Sequence, residues 1–234
     1  MIKLSPSLMC SDLCNVEKSV NELSRLNANL LHIDIVDGYF SPSMPIGLDL
    51  VRCLRKKTNV PFDVHVMAKE NDFFIEELID IGVEQLSFHC ESEMHIDRML
   101  KKIKKNGIKA GIALNPSTPV RVLEYALETC DYILLMLINP GYAEEDDEVQ
   151  VPYAVRKIRD CSDFIRRNGC EMPIEIDGRI SIDRIPEYIC AGAEILVLGR
   201  TSLFEGNSDL EDNYRKVLEA VRQGLDRKSS NELA

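Results

Sequence analysis

Eight times along the chain, and without interruption, a short run with strand chemistry gives way to a longer stretch with helical periodicity. The strand-like runs fall at residues 3–8, 30–35, 62–67, 85–89, 109–114, 132–138, 173–177 and 194–198, and most are aliphatic and β-branched. Helical stretches follow each of them. One is capped at Ser11-Asp12 and runs to about Leu26, and others cover 48–57, 72–81 and 94–105, the last stopped by Asn106-Gly107. Further helices are expected from Thr118-Pro119, over 152–167, over 182–190 before Ala191-Gly192, and over 209–225. Strands joined by helical crossovers must run parallel. Eight such units in 234 residues, with no linker and no break in composition, predict a single (β/α)8 barrel over 1–225 and a frayed polar tail over 226–234. An open doubly wound sheet is the architectural alternative. The barrel is preferred because chemically unusual side chains sit at the C-terminal ends of several different strands, where barrel enzymes keep their sites.

Charge and cysteine usage narrow the class of partner. A formal net charge of −11 argues against a nucleic-acid or anionic-membrane surface. The N-terminus lacks the apolar run of a signal peptide, and no stretch reaches the length of a membrane span. Eight cysteines are scattered without a Cys-x-x-Cys spacing, as expected of reduced thiols in a cytoplasmic protein, and structural zinc on cysteine is not expected. Helices on the outside of a barrel commonly pair, so a homo-oligomer is expected.

The second strand, Leu30-Leu31-His32-Ile33-Asp34-Ile35-Val36, ends at Asp37-Gly38 and puts His32 and Asp34 on one face. By itself this reads equally well as a buried His–Asp hydrogen bond. The third strand carries His65 in its middle, and the seventh ends in Asp177 at Gly178. Closing the barrel would bring His32, Asp34, His65 and Asp177 to one mouth. Two imidazoles with two carboxylates suit Zn²⁺, Fe²⁺, Mn²⁺ or Co²⁺ and suit Ca²⁺ or Mg²⁺ poorly. One such divalent ion would act as a Lewis acid on a substrate oxygen. Asp37 reads as a turn residue, His89 as a structural histidine at the end of the fourth strand, and Asp63 as either a partner orienting His65 or a loop cap.

Five stretches, Ser5-Pro6-Ser7-Leu8-Met9, His32 to Gly38, Asp63 to Met67, Met136-Leu137-Ile138-Asn139-Pro140-Gly141-Tyr142 and Asp177-Gly178, occur in the order and spacing of one family. Together they resemble the ribulose-phosphate 3-epimerase family from Leu4 to about Phe204, and Ser5–Cys10 also resembles its allulose-6-phosphate branch. The resemblance implies metal ligands at His32, Asp34, His65 and Asp177, with Asp34 and Asp177 as the acid/base pair. That division fits the chemistry. Epimerising C3 of a ketose phosphate removes a proton on one face and returns one on the other, which a single base cannot do. The resemblance also implies that Ser7 and His65 contact substrate and that Met9, Met67 and Met136 wall the reacting carbons. On spacing alone these methionines are ordinary core. Backbone amides of loops at Gly141, Gly178 and Gly199 would hold the phosphate.

The sequence departs from the family at that phosphate end. After Asn139-Pro140-Gly141 the loop Tyr142-Ala143-Glu144-Glu145-Asp146-Asp147-Glu148 is longer, acidic and without the family's further glycines and glutamine. Arg179 and Arg200 stand where the family has small residues. They either bind the anionic end of the substrate or pair with the acidic loop. Two other functions use the same scaffold. Barrel decarboxylases and aldolases carry Asp-x-Lys-x-x-Asp on the third strand, and here no lysine follows Asp63 until Lys69. A non-catalytic sugar-phosphate-binding barrel would be expected to have lost one of the four ligand-type residues.

Overall fold

Continuous apolar runs such as Tyr132-Ile133-Leu134-Leu135-Met136 are buried on both faces, as parallel strands under a coat of helices must be. The protein was analysed as a computed structural model that describes residues 1–142, 147–206 and 209–232. Its strands are β1 (Lys3–Pro6), β2 (Leu31–Val36), β3 (Phe62–Met67), β4 (Gln85–His89), β5 (Lys109–Leu114), β6 (Tyr132–Met136), β7 (Ile174–Asp177) and β8 (Ala193–Leu198). From β2 to β8 each pairs in parallel with its sequence neighbour, and β8 returns to pair with β1. Between β1 and β2 the contact thins to a bridge at Ser7–His32 and one bond from the Leu30 amide to the Leu4 carbonyl, at 3.3 Å. The result is a nearly closed (β/α)8 barrel.

The outer helices are α1 (Val16–Arg25), α2 (Leu48–Arg55), α3 (Asn71–Ile81), α4 (Ile96–Lys105), α5 (Ala154–Arg167), α6 (Ile185–Ala191) and α7 (Leu210–Glu232). Their apolar stripes face the barrel: α4 buries Met99, Leu100 and Ile103 and turns its lysines outward. Three expectations need correction. The fifth unit has no α-helix after Thr118-Pro119. It has a 3-10 turn, Val120–Leu123, whose i→i+3 bonds still bury Leu123 and Ala126 in the few residues available before β6. Helix α1 starts at Val16 and not at Ser11-Asp12, because Asp12 spends its carboxylate on the Cys14 amide and the Asn15 side chain, closing a separate turn. Residues 226–232, expected to fray, continue α7, since no helix breaker follows Gly224. Gly224 itself lets α7 approach α6: a Cβ there would lie 3.0 Å from Pro186 Cα and 2.8 Å from Ile189 Cδ1.

Candidate active site

Side chains alternate along a strand, so each strand of the barrel sends every second residue inward. Here the inward set is largely polar: Ser5 on β1 and Ser7 just beyond it, His32 and Asp34 on β2, Asp63 and His65 on β3, Gln85, Ser87 and His89 on β4, and Glu175 and Asp177 on β7. All but Asp177 are buried. Tyr132 of β6 fills the remaining width by lying over Gly111 of β5, where a Cβ would fall 2.3 Å from its ring.

The upper layer gathers the four residues singled out in the sequence. One ligand-type atom from each of His32, Asp34, His65 and Asp177 lies within 4.8 Å of all the others. Asp34 Oδ1 is 3.4 Å from His32 Nε2 and 3.7 Å from His65 Nδ1, and Asp177 Oδ2 is 3.9 Å from both nitrogens. Neither His32 Nε2 nor His65 Nδ1 has a hydrogen-bond partner among the described residues. Leaving a buried imidazole nitrogen unpaired costs about 1–3 kcal/mol, so two of them aimed at two carboxylates fit a cation between the four groups.

The layer beneath orients this one. His32 Nδ1 lies 2.8 Å from Asp63 Oδ2, which also accepts from Ser5 Oγ at 2.7 Å, while Gln85 Nε2 donates to Asp63 Oδ1 at 2.8 Å. Asp63 therefore orients His32 and not His65, which corrects one of the two sequence expectations for it. The register explains why: Asp63 sits directly opposite His32 in the β2–β3 ladder. Ser7 Oγ donates to Asp34 Oδ2 at 2.8 Å and so seats a carboxylate of the upper layer. Asp37 is the turn residue the sequence indicated. It accepts from the Tyr39 and Phe40 amides and, across the mouth, from Lys69 N at 2.7 Å.

Electrostatics separate the two carboxylates. Burial alone would raise Asp34, but the adjoining His32, helped by His65, holds it well below the usual carboxylate range. Burial, reinforced by the charges of Asp34 and Asp63, pushes Asp177 up to about 7. Such a pair is split into a ready base and a ready acid. Glu175 was not singled out from sequence, yet it is fully buried with Oε1 3.6 Å from His32 Nδ1. Burial and the Asp63 charge push it well above its ordinary value, which favours its neutral form. Its signal was available: Glu175 is two residues before Asp177 and must share its face.

A cleft opens above the four residues, lined by Ser7, Met9, Asp34, Met67, Met136 and Asp177 at its floor. Gly141, Gly178, Arg179, Gly199 and Arg200 line the same cleft. Gly141 (φ 86°) packs so closely on the loop after β2 that a Cβ would lie 2.2 Å from that of Ser41, whose hydroxyl bonds the Pro140 carbonyl. Gly178 (φ 115°) leaves a Cβ no room beside Ile138 N, at 2.7 Å. Of the acidic loop, residues 143–146 lie outside the described residues. Asp147 is exposed, and Glu148 folds back to accept from the Asn139 amide at 2.6 Å. Gln150, not foreseen as a site residue, donates to the Gly178 carbonyl at 3.0 Å and accepts from Arg184 and Tyr188, tying the loop after β6 to the turn after β7.

A barrel with two carboxylates split in proton affinity, and two imidazoles turned toward them at the C-terminal mouth, defines an enzyme built for acid–base chemistry on a small polar substrate. Comparison with known proteins gives the family. Residues 3–204 match the model of the ribulose-phosphate 3 epimerase family, and the chain belongs to that family. It is 35% identical over 222 residues to the ribulose-phosphate 3-epimerase of Bacillus subtilis, covering 95% of this chain and 99% of that one. Against the enzymes of the same name from Buchnera aphidicola and Escherichia coli K12 the identities are 34% and 31%, each covering 95% of this chain, with 94% and 95% of the relatives covered. Among solved structures, 3-hexulose-6-phosphate synthase of Salmonella typhimurium superposes with a TM-score of 0.69 over 95% of this chain and all of that one, at 16% identity, which is a likeness of fold alone. The protein is accordingly a sugar-phosphate epimerase, an enzyme of the isomerase class. Among the described residues no helix is long and apolar enough to cross a membrane.

Proposed function

We propose that the enzyme inverts C3 of a ketose phosphate, with ribulose 5-phosphate and xylulose 5-phosphate as the leading pair, using Asp34 and Asp177 as the two proton-transferring groups. The observation that carries this reading is the clustering of four ligand-type atoms within 4.8 Å around two unpartnered imidazole nitrogens. His32, Asp34, His65 and Asp177 would hold one divalent ion of the Zn, Fe, Mn or Co group, and such an ion supplies Lewis-acid polarisation of the substrate's ketone. Asp34, kept ionised by His32, takes the C3 proton on one face. Asp177 returns one to the planar enediolate from the other face. Ser7 holds Asp34 in position for this transfer, and Met9, Met67 and Met136 keep water from the reacting carbons. His65 would contact the substrate as well as hold the ion. The anionic end of the substrate would lie over Gly141, Gly178 and Gly199, with Arg179 and Arg200 adding charge. The enzyme is read as a cytoplasmic homo-oligomer whose eight cysteines stay reduced.

The test is exchange of the C3 hydrogen with solvent deuterium, followed by NMR, on zinc-, manganese- and cobalt-loaded enzyme. Ribulose 5-phosphate, allulose 6-phosphate and a tetrulose phosphate are run side by side. Exchange with ribulose 5-phosphate is expected, and Asp177→Asn should abolish its conversion to xylulose 5-phosphate while leaving Asp34 able to exchange the C3 hydrogen. Exchange with allulose 6-phosphate alone moves the substrate up by one carbon and keeps the mechanism. No exchange with any of the three, despite a bound ion, would sink the proposal.

A further inference from the structure

On the far side of His65 from the ligand cluster, a line of polar groups runs from β3 across the end of β4 to the turns that follow β4 and β5. His65 Nε2 lies 2.8 Å from His89 Nε2, and His89 Nδ1 lies 3.2 Å from Glu91 Oε2. Glu91 is anchored in turn: its Oε1 accepts from the Asn115 amide at 2.8 Å and from the Thr118 hydroxyl. The ring of Phe40 covers His89, with centroids 4.6 Å apart, and both histidines are fully buried. Sequence reasoning left His89 as a satisfied structural histidine. Its partner shows more than that.

Two ring nitrogens 2.8 Å apart share one proton, so only one of them carries it. Glu91 decides which. Its Oε1 already accepts from the Asn115 amide and the Thr118 hydroxyl, and its Oε2 offers His89 an acceptor and nothing else. His89 must then carry its proton on Nδ1. A second proton on a fully buried ring is disfavoured, so His89 Nε2 keeps a bare lone pair and accepts from His65 Nε2–H. His65 Nδ1 is left without a proton, on the side where Asp34 Oδ1 and Asp177 Oδ2 stand at 3.7 and 3.9 Å.

We infer that His89 and Glu91 are positioning residues that fix the tautomer of His65, so that its Nδ1 is presented to the ligand cluster as a lone pair in the folded protein. The inference builds on the proposed metal site but concerns this chain's own hydrogen-bond order. It gives β4, which supplies no member of the four-residue cluster, a part in the site. His32 is fixed by a different device, a direct carboxylate from Asp63 on the neighbouring strand. The two imidazoles of the cluster are thus set by separate lines of hydrogen bonds, one reaching inward and one outward.

The decisive measurement is the ¹⁵N spectrum of the histidine rings, of which the chain has only four, recorded on metal-free and zinc-loaded protein and assigned by single substitutions. His65 protonated at Nε2 and His89 protonated at Nδ1, in both forms, are the expected tautomers. His65 carrying its proton on Nδ1 in the metal-free protein, or His89 carrying one on Nε2, overturns the inference. Zinc affinity gives the second readout. His89→Leu should weaken zinc binding about 10–100-fold, and His89→Gln, whose side-chain oxygen can accept from His65, should recover most of that loss. Equal affinities for wild type and His89→Leu, or equal weakness of the Leu and Gln variants, would also overturn it. Should His89→Leu fail to fold, the wild-type tautomers and the Gln variant still decide. Expected tautomers in a protein that binds no zinc would remove the metal reading and leave the hydrogen-bond order standing.

Discussion

The two sides of the mouth are made of different material. The side proposed to transfer protons is carried on strands: His32, Asp34, His65 and Asp177 stand on β2, β3 and β7, and their positions follow from register and are backed by buried hydrogen bonds. The outer rim is carried on the loops after β6, β7 and β8. There Gly141 and Gly178 fix backbone paths by close approach, while Arg179 and Arg200 reach in from positions no strand constrains. A strand residue cannot shift by one position without turning to the other face. A loop residue can be exchanged or inserted beside with little cost to the fold. On the proposed reading, the chemistry in this chain is held rigidly and the grip on substrate is free to diverge, which is where its sequence leaves the family pattern.

Removing one carboxylate should break the strand side alone. Asp177→Asn and Asp34→Asn are each expected to lower kcat by about 10²–10⁴ with KM for the ketose phosphate little changed, measured by steady-state kinetics on metal-loaded protein. Unchanged circular dichroism would show that the barrel persists. A drop of less than tenfold in either variant would mean that another group transfers that proton.

The rim's backbone supplies the next effect. Gly178→Ala places a Cβ 2.7 Å from Ile138 N at φ 115°, and a cost of about 1–3 kcal/mol is expected in urea unfolding. The same substitution should raise KM more than it lowers kcat. Arg179→Ala and Arg200→Ala should be milder still, each raising KM for the phosphorylated ketose about tenfold, or about 1.4 kcal/mol, with kcat intact. If both leave KM unchanged, the guanidiniums serve the acidic loop and not the substrate. Together these substitutions ask whether the mouth divides into a kcat side and a KM side.

How much of this was legible beforehand follows the same division. Strand positions β3, β4 and β5 were readable to the residue from the short apolar or alternating runs between helical stretches. The four-residue cluster was readable because period-two alternation puts His32 with Asp34, and closure of the barrel does the rest. Cross-strand partnership was not. Whether Asp63 serves His32 or His65 depends on register, which one sequence does not reveal, and the bond from His65 to His89 depends on two rings meeting between neighbouring strands. The fifth crossover was misread as a helix because a 3-10 turn buries a similar set of apolar residues, and the end of α7 because polarity was taken for disorder.

The smallest expected effect is the dependence of stability on pH, and it separates the two sides most cleanly. Asp177 is pushed up to about 7 and His32 is held well above its ordinary value, so the metal-free folded protein keeps protons on both that the unfolded chain has already released. That contribution is fully present below the unfolded-state values and is lost as pH rises through the folded ones. Asp34, held low, contributes in the opposite sense, and its share disappears only in acid. Burial holds His65 and His89 low, an opposing contribution that is complete above their unfolded value, so between about pH 6.5 and 8 the melting temperature of the metal-free protein should fall by a few degrees, read by differential scanning calorimetry. Zinc competes with those same protons and binds more tightly as pH rises, so saturating zinc should cancel or reverse the slope. Asp177→Asn should flatten the metal-free slope, whereas Arg179→Ala should leave it as it is. A slope that survives Asp177→Asn and zinc alike would place the titrating groups elsewhere in the barrel and dissolve the distinction between a strand-held centre and a loop-held rim.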